Sequence, residues 1–212
     1  MTRLVIIRHG ESVYNIERKY TGQLDVALTE KGVLQAEITG KYILENYKID
    51  KIYSSDLTRA IDTAKPIADP LGLEIHTDAR LREIYAGEWQ GYYFSEVAEK
   101  FKEEYEYYKT HKTIARTPGG EGMQDVMKRM HEAVKEIAAT NDGKTVLIST
   151  HNGPLMTLEV LIYGIPLDDI YSVSNNSITE LEYENGSFKA VKFGYNEHLD
   201  ELVTIFKNSS EN

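Results

Sequence analysis

The sequence predicts an α/β fold: three layers, with a mostly parallel central sheet flanked by helices and a C-terminal hairpin. Three observations carry this. Leu4-Val5-Ile6-Ile7 and Thr145-Val146-Leu147-Ile148 are short apolar runs rich in β-branched residues, the signature of strands buried on both faces. Longer segments of helical period lie between them. Near the end, Ile178–Tyr183 and Phe188–Phe193 alternate in polarity around Asn185-Gly186, a strong short-range hairpin signal.

In chain order, the first strand ends at Arg8-His9-Gly10. A helix is expected from Thr29 to Tyr47, with Thr29 as N-cap and Val33, Ala36, Ile43 and Tyr47 on its inner face. Lys51–Ser54 reads as a second strand, and Ser55 or Asp56 as the cap of a helix running toward Leu71. Phe94, Val97, Phe101, Tyr105 and Tyr108 recur at helical spacing, as do Met123, Val126, Met130, Val134 and Ile137. The strand from Thr145 ends at Ser149-Thr150-His151. With no Pro/Gly/Ser-rich linker in its 212 residues, the chain is read as one domain, 1–212, with a helical cap-like insertion around 92–116.

Composition excludes several function classes. There is no cysteine, hence no disulfide, thiolate metal site or cysteine nucleophile. The net charge of −10 argues against nucleic acid and anionic membranes as partners. It leaves room for a small anionic substrate, because surface acids are screened beyond about 8–10 Å. No signal peptide or bilayer-spanning run is visible, so a cytoplasmic protein, monomer or homodimer, is expected. Asn175-Asn176-Ser177, Asn185-Gly186-Ser187 and Asn208-Ser209-Ser210 match the glycosylation pattern but are read as turns and a frayed tail.

Two strand ends deliver a histidine: Arg8-His9 and Thr150-His151. Ligands of α/β sheets bind beyond the carboxyl ends of such strands. Neighbouring parallel strands would bring both imidazoles to one sheet edge, beside helix N-termini suited to an anion. Ser54-Ser55-Asp56-Leu57-Thr58-Arg59 adds a second arginine. Two guanidiniums can clamp phosphoryl oxygens bidentately, as lysine cannot. No aspartate cluster or His-x-x-x-His pair calls for a metal. His76, His111, His131 and His198 are read as surface or packing residues, and Trp89 with the tyrosines between Tyr85 and Tyr108 as core, some of them walling a substrate pocket.

The motifs together resemble the histidine phosphatase superfamily, whose members include cofactor-dependent phosphoglycerate mutases and many phosphomonoesterases. The resemblance is carried by Arg8-His9-Gly10-Glu11-Ser12 with Asn15, Thr21-Gly22-Gln23, Leu28-Thr29-Glu30-Lys31-Gly32 and Ser54 to Ala60 with Thr63-Ala64. Leu81-Arg82-Glu83, Gly87-Glu88-Trp89-Gln90-Gly91, Pro118-Gly119-Gly120-Glu121 and Asn196-Glu197-His198-Leu199 continue it in order. One departure is Asn152 after the second histidine, where many members have glycine; it could alter a substrate contact.

The resemblance implies roles. His9 would take the phosphoryl group as a phosphohistidine, which requires a neutral ring, and nearby Arg8, Arg59 and His151 disfavour its protonation. Those cations, with Asn15, Gln23 and Asn152 as substrate-binding residues, would stabilise the transferring group. Glu83 would protonate the leaving oxygen, with a pKa raised by partial desolvation beside phosphate; Glu88 is the residue confusable with it. No cofactor and no metal are implied.

Three functions compete: a phosphomonoesterase acting on a small phosphorylated metabolite, a phosphoglycerate mutase, and a catalytically silent binder of phosphorylated ligands. Complete machinery disfavours the last. Mutases of this family carry a longer insertion rich in arginine and lysine after the acid motif. Here Tyr92 to Arg116 is compact and dominated by Glu and Tyr, with only scattered Lys100, Lys102, Lys109, Lys112 and Arg116. The expectation is a compact, broad-specificity phosphatase, its tyrosine-rich wall suited to an apolar or ring-like substrate body.

Overall fold

The computed structural model describes residues 1–111, 113–166 and 172–204. Lys112 and the Asn208 sequon lie outside them. The elements are β1 (Thr2–Arg8), α1 (Val13–Glu17), α2 (Glu30–Asn46), β2 (Lys51–Ser54), α3 (Thr58–Leu71), β3 (Ile75–Thr77), α4 (Phe94–Lys100), α5 (Lys102–Thr110), α6 (Met123–Thr140), β4 (Thr145–Thr150), α7 (Asn152–Tyr163), β5 (Ile178–Glu184) and β6 (Ser187–Tyr195). Short 3-10 turns cover Ala79–Leu81, Gly87–Trp89 and Glu197–Leu202.

The strands form one six-stranded sheet in the order β3-β2-β4-β1-β5-β6. β1, β2, β3 and β4 run parallel, and β5 and β6 add an antiparallel edge. Period-two alternation divides the core. Leu4, Ile6, Val146 and Ile148 pack on Met130, Val134 and Ile137 of α6 and Leu155 and Leu158 of α7. Val5, Ile7, Leu147 and Ile52 face Ile43 of α2 and Ala64 and Ile67 of α3. All of these β1 and β4 side chains are fully buried, which is why the runs read as unbroken apolar. Among the described residues, no helix is long and apolar enough to cross a membrane.

Local chemistry explains most boundaries. Thr29 caps α2, its hydroxyl accepting from Gly32 N at 3.0 Å. The Asn185-Gly186 turn has φ of 51° and 84°, the left-handed pair a tight hairpin needs.

Four expectations are corrected. Val33 is 46% exposed, because the buried face of α2 runs through Gly32, Gln35, Ala36, Thr39 and Ile43. Neither Ser55 nor Asp56 is the N-cap of α3: Leu57 holds that position, the Thr58 N–H goes to Asp25 at 2.8 Å, and Asp56 pairs with Arg82. The Phe94–Tyr108 periodicity is two helices broken at Phe101 (φ −119°, ψ 44°), and both cover Trp89. β3, absent from the sequence reading, is three half-buried or exposed residues with no apolar run to betray it.

Gly32 has no room for a side chain: a Cβ there would lie 2.0 Å from the Glu11 carbonyl oxygen, backbone of the loop that follows His9. Gly32→Ala is therefore expected to cost about 1–3 kcal/mol by overpacking, read as a lower urea midpoint at an unchanged slope.

Candidate active site

The parallel register of β1 and β4 sets Arg8 opposite Thr150, so the next residues, His9 and His151, emerge side by side. Their ring centroids are 5.0 Å apart. Both rings are buried, as are Arg8 and Arg59. Arg59 comes from the first turn of α3, which follows β2 on the other side of β4.

The His9 Nδ1 lies 2.7 Å from the Gly10 carbonyl oxygen. A carbonyl only accepts, so Nδ1 carries the proton and Nε2 keeps its lone pair. Burial first, then Arg59 and Arg8, hold the His9 pKa well below the ordinary 6.5. His151 is pushed the same way by burial, with Arg59, His9, Arg8 and Arg129 adding to it. Neither ring nitrogen of His151 has a hydrogen-bond partner among the described residues.

The guanidiniums are built into the backbone. Arg59 donates from Nη1 to the Leu24 carbonyl and from Nη2 to that of Gly22, both at 2.8 Å. Each Nη retains a second hydrogen. Arg8 donates to the Val173 carbonyl. Burial lowers both guanidinium pKa values to about 10, which leaves them cationic at neutral pH.

The geometry separates the two acidic candidates. Glu83 is half-buried and within electrostatic range of Arg8 and Arg59, whereas Glu88 is exposed. The Glu83 carboxylate accepts from Ile84 N at 2.9 Å and from Gly153 N at 3.1 Å. The expected anion site at the start of α7 thus gives its Gly153 N–H to this carboxylate. Tyr108 of α5 also faces Glu83; burial and that carboxyl push its hydroxyl up to about 12. Tyr108 itself packs edge-on against Trp89, with ring centroids 5.3 Å apart, in one cluster with Tyr20, Tyr92, Phe101 and Tyr105.

Each of the three amides has hydrogen-bond partners within the protein. Gln23 Nε2 donates to the Glu83 carbonyl and its Oε1 accepts from Arg82. Asn152 reaches Ser172 Oγ and takes the Val173 N–H, so it holds the segment that meets Arg8. Asn15 Oδ1 accepts from Ser12 N at 3.0 Å and from Asn175 at 3.3 Å.

Asn175 was legible only as a turn. It is fully buried, and its Nδ2 donates to the carbonyls of His9 and Gly10, the second of which fixes the His9 ring. The doubled asparagine before a strand was the one local signal. Arg129, which holds the backbone around Glu83 together with Glu121, was missed, and Glu121 was legible only as part of the Pro118-Gly119-Gly120-Glu121 motif.

Because His9 and His151 resist protonation in the fold but not in the unfolded chain, the unfolded state binds more protons below about pH 6.5. Their contribution is therefore intact above that pH and lost as pH falls through it, at about 1.4 kcal/mol per pH unit for each ring. Urea midpoints measured from pH 7.5 to 5.5 should fall less steeply for His151→Asn than for the wild type.

Comparison with known proteins follows this geometry. Residues 4–196 match the model of the histidine phosphatase superfamily, branch 1. Phosphoglycerate mutase-like protein 4 of Arabidopsis thaliana is 36% identical over 157 residues, 73% of this chain and 68% of that protein. Phosphoserine phosphatase 1 of Hydrogenobacter thermophilus is 30% identical over 204 residues, 95% of this chain and 96% of that one. The solved structure of Bacillus stearothermophilus YhfR superimposes with a TM-score of 0.89 at 33% identity, covering 94% of this chain and all of its own. The chain belongs to the histidine phosphatase superfamily.

Proposed function

We propose that the chain is a phosphomonoesterase that hydrolyses a small phosphorylated metabolite through a phosphohistidine at His9. The observation that carries this is the His9 ring itself: kept neutral by burial and then by two guanidiniums, and oriented by the Gly10 carbonyl so that Nε2 is the nucleophilic atom. In the first step Nε2 bonds to phosphorus while the ester P–O bond breaks, and Glu83 passes a proton to the departing oxygen. In the second, water gives a proton back to Glu83 as its oxygen bonds to phosphorus. The P–N bond breaks, returning neutral His9 and free phosphate. Arg8, Arg59 and an N–H of His151 stabilise the equatorial oxygens in both steps, a cationic role that needs no metal or cofactor.

The alternative, a phosphoglycerate mutase, needs cations for a second acid group. α4 and α5, the proposed helical cap of this one-domain chain (92–116), offer mainly Glu and Tyr instead. The tyrosine-rich α5 favours a substrate with some apolar or ring character, and the relative named phosphoserine phosphatase makes phosphoserine a substrate to include. A cytoplasmic setting is supported by the cysteine-free composition.

Purified protein with chelator should release phosphate from p-nitrophenyl phosphate and from members of a phosphomonoester panel. His9→Ala should lower turnover about 10⁴-fold or more and abolish the acid-labile phosphoenzyme. Interconversion of phosphoglycerates faster than hydrolysis would overturn the phosphatase reading; an active His9→Ala would overturn the nucleophile.

A further inference from the structure

We propose that the Arg129–Glu121 ion pair is a bracket that positions Glu83, and that through it these two residues set how well Glu83 donates its proton. This rests on the reading of Glu83 as the acid.

Arg129 projects from α6 with only 16% of its side chain exposed. All five of its guanidinium hydrogens have acceptors. Nη1 donates to the carbonyls of Arg80 (2.8 Å) and Arg82 (2.6 Å), and Nη2 to that of Glu83 (2.9 Å). Nε and the second Nη2 hydrogen reach the two carboxylate oxygens of Glu121 at 2.8 and 2.9 Å, a bidentate pair. Glu121 in turn accepts the Tyr85 N–H through Oε2, while its own N–H donates to the Tyr85 carbonyl, both at 2.8 Å. One ion pair thus grips three carbonyls from Arg80 to Glu83 and the Tyr85 N–H, with the Glu121 backbone adding a bond to the Tyr85 carbonyl.

The backbone on either side of Glu83 is therefore set by side chains from α6 and from the Pro118-Gly119-Gly120-Glu121 turn. Its carboxylate is held separately, by Ile84 N and Gly153 N. A lysine at 129 would keep the charge but has three donors on a single atom, which cannot span three carbonyls and a carboxylate. With the bracket gone, the Glu83 backbone is free to shift by a fraction of its own length. Displacements near 1 Å in a catalytic group cost about a hundredfold.

The bracket and a purely structural tie between α6 and the loop predict different kinetics. A p-nitrophenolate leaving group departs without a proton, whereas an alkoxide needs one. In Arg129→Lys and Glu121→Gln, the ratio of kcat/KM for an alkyl ester (phosphoserine or glycerol phosphate) to that for p-nitrophenyl phosphate should fall about ten- to a hundredfold. Glu83→Gln, run alongside, should show the same selective fall. A ratio that stays at the wild-type value in both bracket variants, while Glu83→Gln is selective, overturns the bracket alone. If Glu83→Gln slows both esters equally, the acid assignment falls and takes the bracket with it. Glu121→Gln keeps the size and shape of the native side chain, so the comparison stands even if Arg129→Lys does not fold.

Discussion

Two guanidiniums and two imidazoles sit together at the carboxyl ends of β1 and β4, each nearly out of solvent. Burying fixed cations carries a large desolvation cost unless they are hydrogen-bonded and faced by opposite charge. Much of the surrounding backbone answers that requirement. The carbonyls of Gly22, Leu24 and Val173 turn inward onto Arg59 and Arg8. The Glu83 carboxyl lies within electrostatic range of both. The imidazoles respond the other way: with cations already fixed, neutrality is their favoured state. A neutral imidazole beside permanent positive charge is what the proposed attack on a phosphate dianion needs.

How much of this could be read from the sequence depended on the range of the physics involved. β1, β4 and the hairpin declare themselves through burial on both faces or a two-residue turn, and a few neighbouring residues suffice to encode either. His9 and His151 followed at once, because strand ends in a parallel sheet are predictable places. The misreadings have a common cause. Val33 lies outside the face of α2 that its tertiary partners bury. The break at Phe101 exists because two short helices cover Trp89. Asp56 is drawn off a capping role by Arg82, a residue 26 positions away. Each was settled by a contact distant in sequence.

The same distinction runs through the site. Arg8, His9 and Arg59 are recognisable by type and position. Gln23 and Asn152, expected as ligands of the substrate, also have partners in the protein: one links the Glu83 carbonyl to Arg82, the other anchors the segment that Arg8 meets. Residue type announced polarity at these places, but only three-dimensional context decided which polar partner would be found. Asn175 shows the converse, a residue with the pattern of an exposed turn that is buried behind His9.

Rigidity behind His9 comes from both ends of the chain at once. The Glu11 N–H donates to Gln35 Oε1, and Gln35 Nε2 donates to the Leu202 carbonyl at 2.7 Å and to Thr204. The Glu11 carboxylate accepts from Thr29 on one oxygen and Thr204 on the other. The loop leaving His9 is therefore clasped between the cap of α2 and the segment after the last 3-10 turn, while Asn175 holds its carbonyls from the opposite side. Such a loop has few alternative conformations to visit. That matters because the Gly10 carbonyl chooses the tautomer of His9: a peptide free to rotate would let the proton move to Nε2 and silence the ring. Fixing a single carbonyl by contacts drawn from residues 29 to 204 is preorganisation in its plainest form, with the cost of order met by folding before any substrate arrives.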